Sequence, residues 1–308
     1  MTLLSVLERL ARCLPMALAS GALFGQTPDP RYWASRPIAE NRWTGPNRPI
    51  IKMAELRARH GQEARWREVV FSDSHLRGEY VSAPAGDRVG SRFHPDTRIY
   101  WIIFDGKIRF EIEGQKPFTA SKGSMVQVPK QSLYSFETIG DAPSVRLEVT
   151  IPGASTMYPG DSKPAPHKGV EVLAVRAPAR KPEPFEHGNQ PHINLYELTK
   201  DPAYGDTFFV DHDNAIAHIV CAYAKDKPAI VPGDRGHYHA EGAEVFINLM
   251  GQNRIIFEGP GAVTASGQGD ILYVPRYAFH NPRPEGPERS CRLVLSAYRE
   301  PLLQLRDK

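Results

Sequence analysis

Two stretches of this chain repeat one another at a fixed distance. DGKIRFEIEG (105–114) and MGQNRIIFEG (250–259) share two glycines, an arginine and one strand-like alternation. Gly106 and Gly251 are 145 residues apart, as are Gly114 and Gly259; Gly123 and Gly269 are 146 apart, as are Pro129 and Pro275. A pattern carried twice at constant offset is read as two copies of one structural unit. Within each copy, short runs rich in Val, Ile and Phe stand between Gly and Pro turns, which is strand composition. Each unit is therefore rich in short strands and turns, and 308 residues suffice for two such domains.

The connections set the boundaries. Residues 152–191 contain eight prolines, which favours extended arms over helices or central strands. Inside this stretch VEVLAVRA (170–177) alternates like an extra strand. The arms are expected to wrap over the β units or reach a neighbouring subunit. The chain thus divides into an N-terminal arm or signal-like segment (1–48), a first copy (49–151), a Pro-rich linker and arm (152–205) and a second copy (206–300). IIKMAELRARHG (50–61) reads as a short helix ending at Gly61, and WREVVF (66–71) opens the strands. The second copy begins near DTFFVDHDNAIAHIVCAY (206–223).

Chemistry concentrates in the second copy. GDRGHYHAEGAEVFINLMG (233–251) spaces His237, His239 and Glu244 as H-x-H-x4-E, and GDILYVPRYAFH (269–280) adds His280 five residues after Pro275. Residues two apart on a strand share a face, so His237 and His239 can reach one ion. Glu244 opens the next strand, and His280 comes from a later one. Three imidazoles and a carboxylate suit Fe(II), Mn(II), Ni(II) or Zn(II). The Asp211-His212-Asp213 cluster reads as an acidic loop at a strand end. His167, His187 and His192, in proline-rich segments, read as surface residues.

These two stretches resemble the two conserved motifs of the cupin superfamily. The first follows G-x5-H-x-H-x4-E-x6-G with a shorter leading gap, and the second matches G-x5-P-x4-H, with Tyr277 where the family often has Gly. The resemblance implies His237, His239, Glu244 and His280 as metal ligands. It also implies an all-β fold of two antiparallel β-barrels (double-stranded β-helix jelly rolls) with a few short helices. In the first copy the ligand positions hold Arg92, His94, Ile99 and Tyr134. One ligand of four cannot hold a divalent ion, so that copy reads as metal-free; Arg92, His94 and Tyr134 forming an anion pocket is the lesser alternative.

Four protein ligands leave positions open on an octahedral ion, as a catalytic rather than a structural metal requires. With Fe(II), the favoured ion, this supports oxygenase chemistry on a small aromatic or enolisable substrate. Isomerase or decarboxylase chemistry is the alternative, and a non-catalytic binding protein that retains its metal is the reading outside the enzymes. By the period of two, Phe246 and Asn248 point inward with Glu244. From the later strand, either Ile271 and Tyr273 or Leu272 and Val274 do so. Tyr238, Phe246, Tyr273, Tyr277 and Phe279 make an aromatic neighbourhood. Asn248 and Tyr273 are the candidates for substrate contact.

Composition narrows the partners. A net charge of +3, evenly spread, gives no case for nucleic acid or an anionic membrane surface. No run is long enough to span a membrane as a helix, and a homodimer is expected for the family. Cys13, Cys221 and Cys291 are sparse and odd in number, which argues against a disulfide framework; Cys221 and Cys291 read as small buried hydrophobes. Arg9 and Arg12 ahead of CLPMALASGALFG resemble a signal peptide, while Pro15 and Glu8 argue against one. The cytoplasm is favoured, with the periplasm or secretion if that segment is cleaved.

Overall fold

The structure, a computed structural model, describes residues 43–164, 171–186, 189–201, 207–212, 215–240 and 242–296. It is built on two six-stranded antiparallel sheets with the same internal order. The first runs β11 (His192–Asn194), β8 (Ser124–Val128), β5 (Ile99–Asp105), β10 (Ser144–Thr150), β3 (Arg77–Ala83), β2 (Trp66–Ser72). The second runs β1 (Ile50–Ile51), β17 (Ile271–Val274), β14 (Glu244–Met250), β19 (Ser290–Ser296), β13 (Ala215–Ala222), β12 (Thr207–His212). β5 and β14 begin 145 residues apart and β10 and β19 146 apart, so the sequence repeat is realised strand for strand.

Both faces of the central strands are buried, which is why they read as continuous apolar runs. In β5, Tyr100, Ile102 and Phe104 face the core between the two large sheets, together with Val245, Ile247 and Leu249 of β14. Ile99, Trp101 and Ile103 face the other way, onto a smaller sheet ordered β4 (Arg88–Arg92), β9 (Tyr134–Ile139), β6 (Lys107–Ile112), β7 (Phe118–Ser121). In the second copy Phe246 and Val294 face a three-stranded sheet ordered β16 (Gly261–Ala265), β15 (Gln252–Phe257), β18 (His280–Glu285). Each copy is thus a two-sheet jelly-roll sandwich whose ladders do not close into one cylinder among the described residues.

Two short strands cross between the copies. β1 precedes the first copy's sheets yet pairs with β17, Ile50 opposite Leu272 and Ile51 opposite Ile271. β11 lies in the linker and pairs with β8 of the first copy. A helix, α1 (Met53–His60), follows β1 and ends at Gly61 as the sequence suggests; its first N–H is held by the buried carboxylate of Asp270 at 3.0 Å. A second, α2 (Leu195–Lys200), is capped by the Asn194 side chain.

Three expectations are corrected here. VEVLAVRA is not a strand: residues 171–177 pair with none among those described, and Leu173 and Val175 are exposed. Alternation alone makes no strand without a sheet edge and an apolar face to pack on. Further along, this arm does lie against the first copy, through Arg180 on Glu113 at 2.6 Å and the Glu183 N–H on the Lys130 carbonyl at 3.0 Å. His192 is not a surface residue, being half-buried in β11, bonded to Ser124 Oγ at 2.9 Å and stacked on Phe118. Cys221 and Cys291 are not separate thiols: they face each other across β13 and β19 and form a disulfide. Residues 1–42, His167, His187 and Asp213 lie outside the described residues.

Candidate metal centre

Local chain geometry brings the four predicted ligands together. Glu244 is the first residue of β14, and His280 the first of β18. His237 lies on no full strand but keeps a two-residue bridge to His280, with N–H to carbonyl bonds of 3.1 and 2.8 Å in the two directions. The same contact joins Arg92 and Tyr134 in β4 and β9 of the first copy. Gly236 permits it: φ is +77°, and an added Cβ would come within 2.0 Å of the His280 carbonyl oxygen. The turn after β17 is fixed by the Tyr277 N–H on the His239 carbonyl at 2.8 Å. Tyr277 adopts φ +66°, and Gln131, at the same turn of the first copy, adopts +62° and bonds the His94 carbonyl. The tyrosine where the family often has glycine therefore keeps the glycine-like backbone.

One ligand atom from each of His237, His239, Glu244 and His280 lies within 4.8 Å of all the others, a group that could hold a metal ion. Glu244 Oε2 is shared by His280 Nε2 at 2.9 Å and His239 Nε2 at 3.2 Å. His280 is fully buried, and its Nδ1 lies 3.1 Å from the Ala278 carbonyl, which can only accept. With its N–H on Nδ1, donated to that carbonyl, the ring would turn the Nε2 lone pair towards the other ligands. A ring N–H held by a backbone carbonyl is how metal-bound histidines are oriented. The donor set fits a divalent transition metal.

Ser296 was not singled out from the sequence, yet its Oγ donates to Glu244 Oε1 at 3.3 Å. It stands directly opposite Glu244 across β19 and β14, a non-local register that residue spacing does not reveal. The two candidates for substrate contact lie elsewhere. Asn248 faces inward, but its amide donates to the carbonyls of Gly251 and Gly267 and accepts from Asn253 at 2.5 Å, closing the turns at the far end of the sandwich. Tyr273 points out of the sandwich into the core between the large sheets, stacked near Phe71, with its hydroxyl 3.1 Å from Asp73 Oδ2. Leu272 and Val274 face inward instead. A surface cavity of about 500 Å³ lined by Arg48, Ile50, Glu68 and Val70 shares no residue with the cluster.

The first copy keeps the geometry and changes the chemistry. His94 Nε2 is 2.8 Å from the Tyr134 hydroxyl, and its Nδ1 2.8 Å from the Ser155 carbonyl. Burial lowers the His94 pKa and raises that of Tyr134, so both are neutral and satisfy each other. Arg92 lies over the Tyr158 ring.

Charge in the cluster is finely placed. Burial lowers the His237 pKa to about 3, reinforced by His280, His239 and Arg292 and opposed by Glu244. Burial would raise Glu244, but His239 and His280 outweigh it and hold the carboxyl well below the usual range. At neutral pH the imidazole of His237 is unprotonated and the carboxylate charged, the forms that bind metal. The unfolded chain takes up a proton at His237 below its ordinary 6.5, and the folded chain only near 3. Stability from this residue is therefore present above pH 6.5 and is lost progressively as pH falls towards 3. Thermal melts of metal-free protein from pH 7.5 to 5 should show a falling Tm. His94 and His192 shift in the same direction, so His237→Gln isolates its share by flattening the slope; equal slopes would contradict the assignment.

No family model matches the chain, and no curated protein matches it in sequence. Solved structures do. A cupin 2 conserved barrel domain protein from Leptotrichia buccalis aligns over 81% of this chain and 96% of its own, at 14% identity and a TM-score of 0.55. Salicylate 1,2-dioxygenase from Pseudoaminobacter salicylatoxidans, in an adduct with gentisate, aligns over 80% of each chain, at 12% identity and a TM-score of 0.56. At such identities the likeness speaks for the fold alone. Two matched jelly-roll sandwiches and these neighbours make the chain a cupin by fold.

Proposed function

We propose that the protein is a metal-dependent oxygenase of the dioxygenase type, with Fe(II) held by His237, His239, Glu244 and His280. Its substrate in this reading is a small aromatic or enolisable molecule. The observation that carries it is the buried Glu244 oxygen flanked by two imidazole nitrogens, one of them oriented by a backbone carbonyl. When bound, the ion supplies Lewis-acid and one-electron redox chemistry at positions the four side chains leave open. Ser296 and Ala278 fix the directions of Glu244 and His280. Phe246, Leu272, Val274 and Val294 wall the interior with apolar surface that excludes water. His237 is the least buried of the four, so substrate enters past it. One fold neighbour is a salicylate 1,2-dioxygenase solved with gentisate, which is consistent with an aromatic substrate but does not assign one. The first copy serves as a packing partner in this reading, and the protein works as a homodimer.

Elemental analysis of protein purified without added metal, followed by oxygen uptake with hydroxylated aromatic acids, tests the reading. About one iron per chain and substrate-dependent uptake are expected. Turnover without oxygen would favour an isomerase or decarboxylase. Failure to hold any divalent ion after reconstitution would end the proposal.

A further inference from the structure

The two copies also meet at a pair of matching turns. The turn between β7 and β8 carries Lys122 and Gly123, and the turn between β16 and β17 carries Gln268 and Gly269, the two glycines being equivalent positions of the repeat. A helix docks on each turn. α2 meets the first through the Leu195 N–H on the Gly123 carbonyl at 2.7 Å, and α1 meets the second through its Met53 N–H on Asp270 at 3.0 Å. Between the turns lies a surface cleft of about 400 Å³. Lys122 and Gln268 both line it, together with Lys52, Arg57 and Asp105. It shares no residue with the metal cluster.

Donors outnumber free acceptors in this cleft. Its two carboxylates are engaged. Asp270 is buried and accepts from the backbone N–H groups of Met53, Ser266 and Gly267 at 3.0, 3.1 and 2.8 Å. It thereby closes the N-terminus of α1, which offers nothing further to a ligand. Asp105 is paired with Arg57. Lys122, by contrast, makes no ion pair among the described residues. Lys52 reaches a carboxylate only at 4.0 Å, that of Glu55.

One more donor stands behind the Arg57–Asp105 pair. The hydroxyl of Tyr196, in α2, is buried and has no hydrogen-bond partner among the described residues. Its ring packs on Gly123, next to Lys122. Burial, and then the charge of Asp105, raise its pKa, so an unused O–H lies within the field of that carboxylate. A buried hydroxyl left unbonded is costly. The cost is recovered when Arg57 turns from Asp105 into the cleft and Tyr196 donates to the carboxylate in its place.

We propose that this cleft binds a phosphate group, held by Lys52, Lys122 and the Arg57 fork, with Tyr196 acting as a positioning residue that frees Arg57. A planar guanidinium flanked by ammonium groups matches the several oxygens of such an anion. The ligand would touch both copies at once, far from the chemistry of the ion cluster.

Calorimetric titration of the full-length protein with inorganic phosphate and with phenyl phosphate, in chloride at constant ionic strength, tests the site. The protein is used as isolated and after dialysis against a chelator. One saturable site per chain is expected, with the same affinity in both preparations. Lys122→Gln should weaken binding by up to about 5-fold, as for one exposed charge pair. The double variant Lys52→Gln/Lys122→Gln should weaken it by about 10-fold or more, by addition of the two. Tyr196→Phe should weaken it about 3- to 10-fold, the range for one hydrogen bond, although it removes no charge from the cleft. An ester bound more tightly than phosphate assigns an organic phosphate as the ligand; otherwise the ligand is the free ion. No saturable binding, binding lost on dialysis, or unchanged affinity in the double lysine variant or in Tyr196→Phe would overturn the proposal.

Discussion

Replacing Glu244 with glutamine is expected to lower affinity for a divalent ion by about 100-fold or more, above the range for losing an outer-shell partner. Glutamine is nearly isosteric, so the fold should persist. What changes is that the carboxylate is lost, and an amide takes its place between His239 and His280. The oxygen that both imidazoles approach is then lost or neutralised. Its charge is held in place by those histidines despite its burial. Dialysis against a chelator of known affinity, followed by elemental analysis, reads the difference. A variant that keeps its ion as firmly as wild type would mean that the ion binds elsewhere.

Breaking the Cys221–Cys291 bond should cost roughly 4 kcal/mol, by the entropy of closing a loop of that length in the unfolded chain. The two cysteines are 70 residues apart in sequence and join neighbouring strands of the sheet that carries Glu244 and Ser296. Urea unfolding of the oxidised protein and of the double variant Cys221→Ser/Cys291→Ser should show the loss as a lower midpoint. Thiol titration of unfolded, unreduced full-length chain should find one reactive cysteine, Cys13, of the three in the sequence. Three reactive thiols would show that the bond does not form in the protein as isolated.

The inward face of β17 and the pairing of the cysteines were not legible in the sequence for the same physical reason. Sequence periodicity gives the two faces of β17 but not which face looks inward. Pairing of Phe246 with Leu272 and of Glu244 with Val274 settles it, turning Tyr273 outward. The cysteines are inconspicuous in sequence because their contact depends on β13 and β19 being neighbours. Spacing did suffice for the ligand cluster, since H-x-H and a strand-opening Glu are local features and the stretch GDILYVPRYAFH carries His280 just past its strand and Pro275. Asn248 was placed on the correct face, yet its amide is fully engaged by turn carbonyls, and a residue's face does not reveal its partners.

The reciprocal placement of β1 and β11 has a bearing on how the protein can be taken apart. A fragment ending before the linker would carry β1 without the β17 it pairs with, and would lack β11 along β8. A fragment beginning at the second copy would lack β1 along β17. Each would present a bare strand edge, the surface on which chains aggregate. Neither copy is a removable module, and dissection of this molecule should succeed only when both fragments are made together and allowed to complement one another.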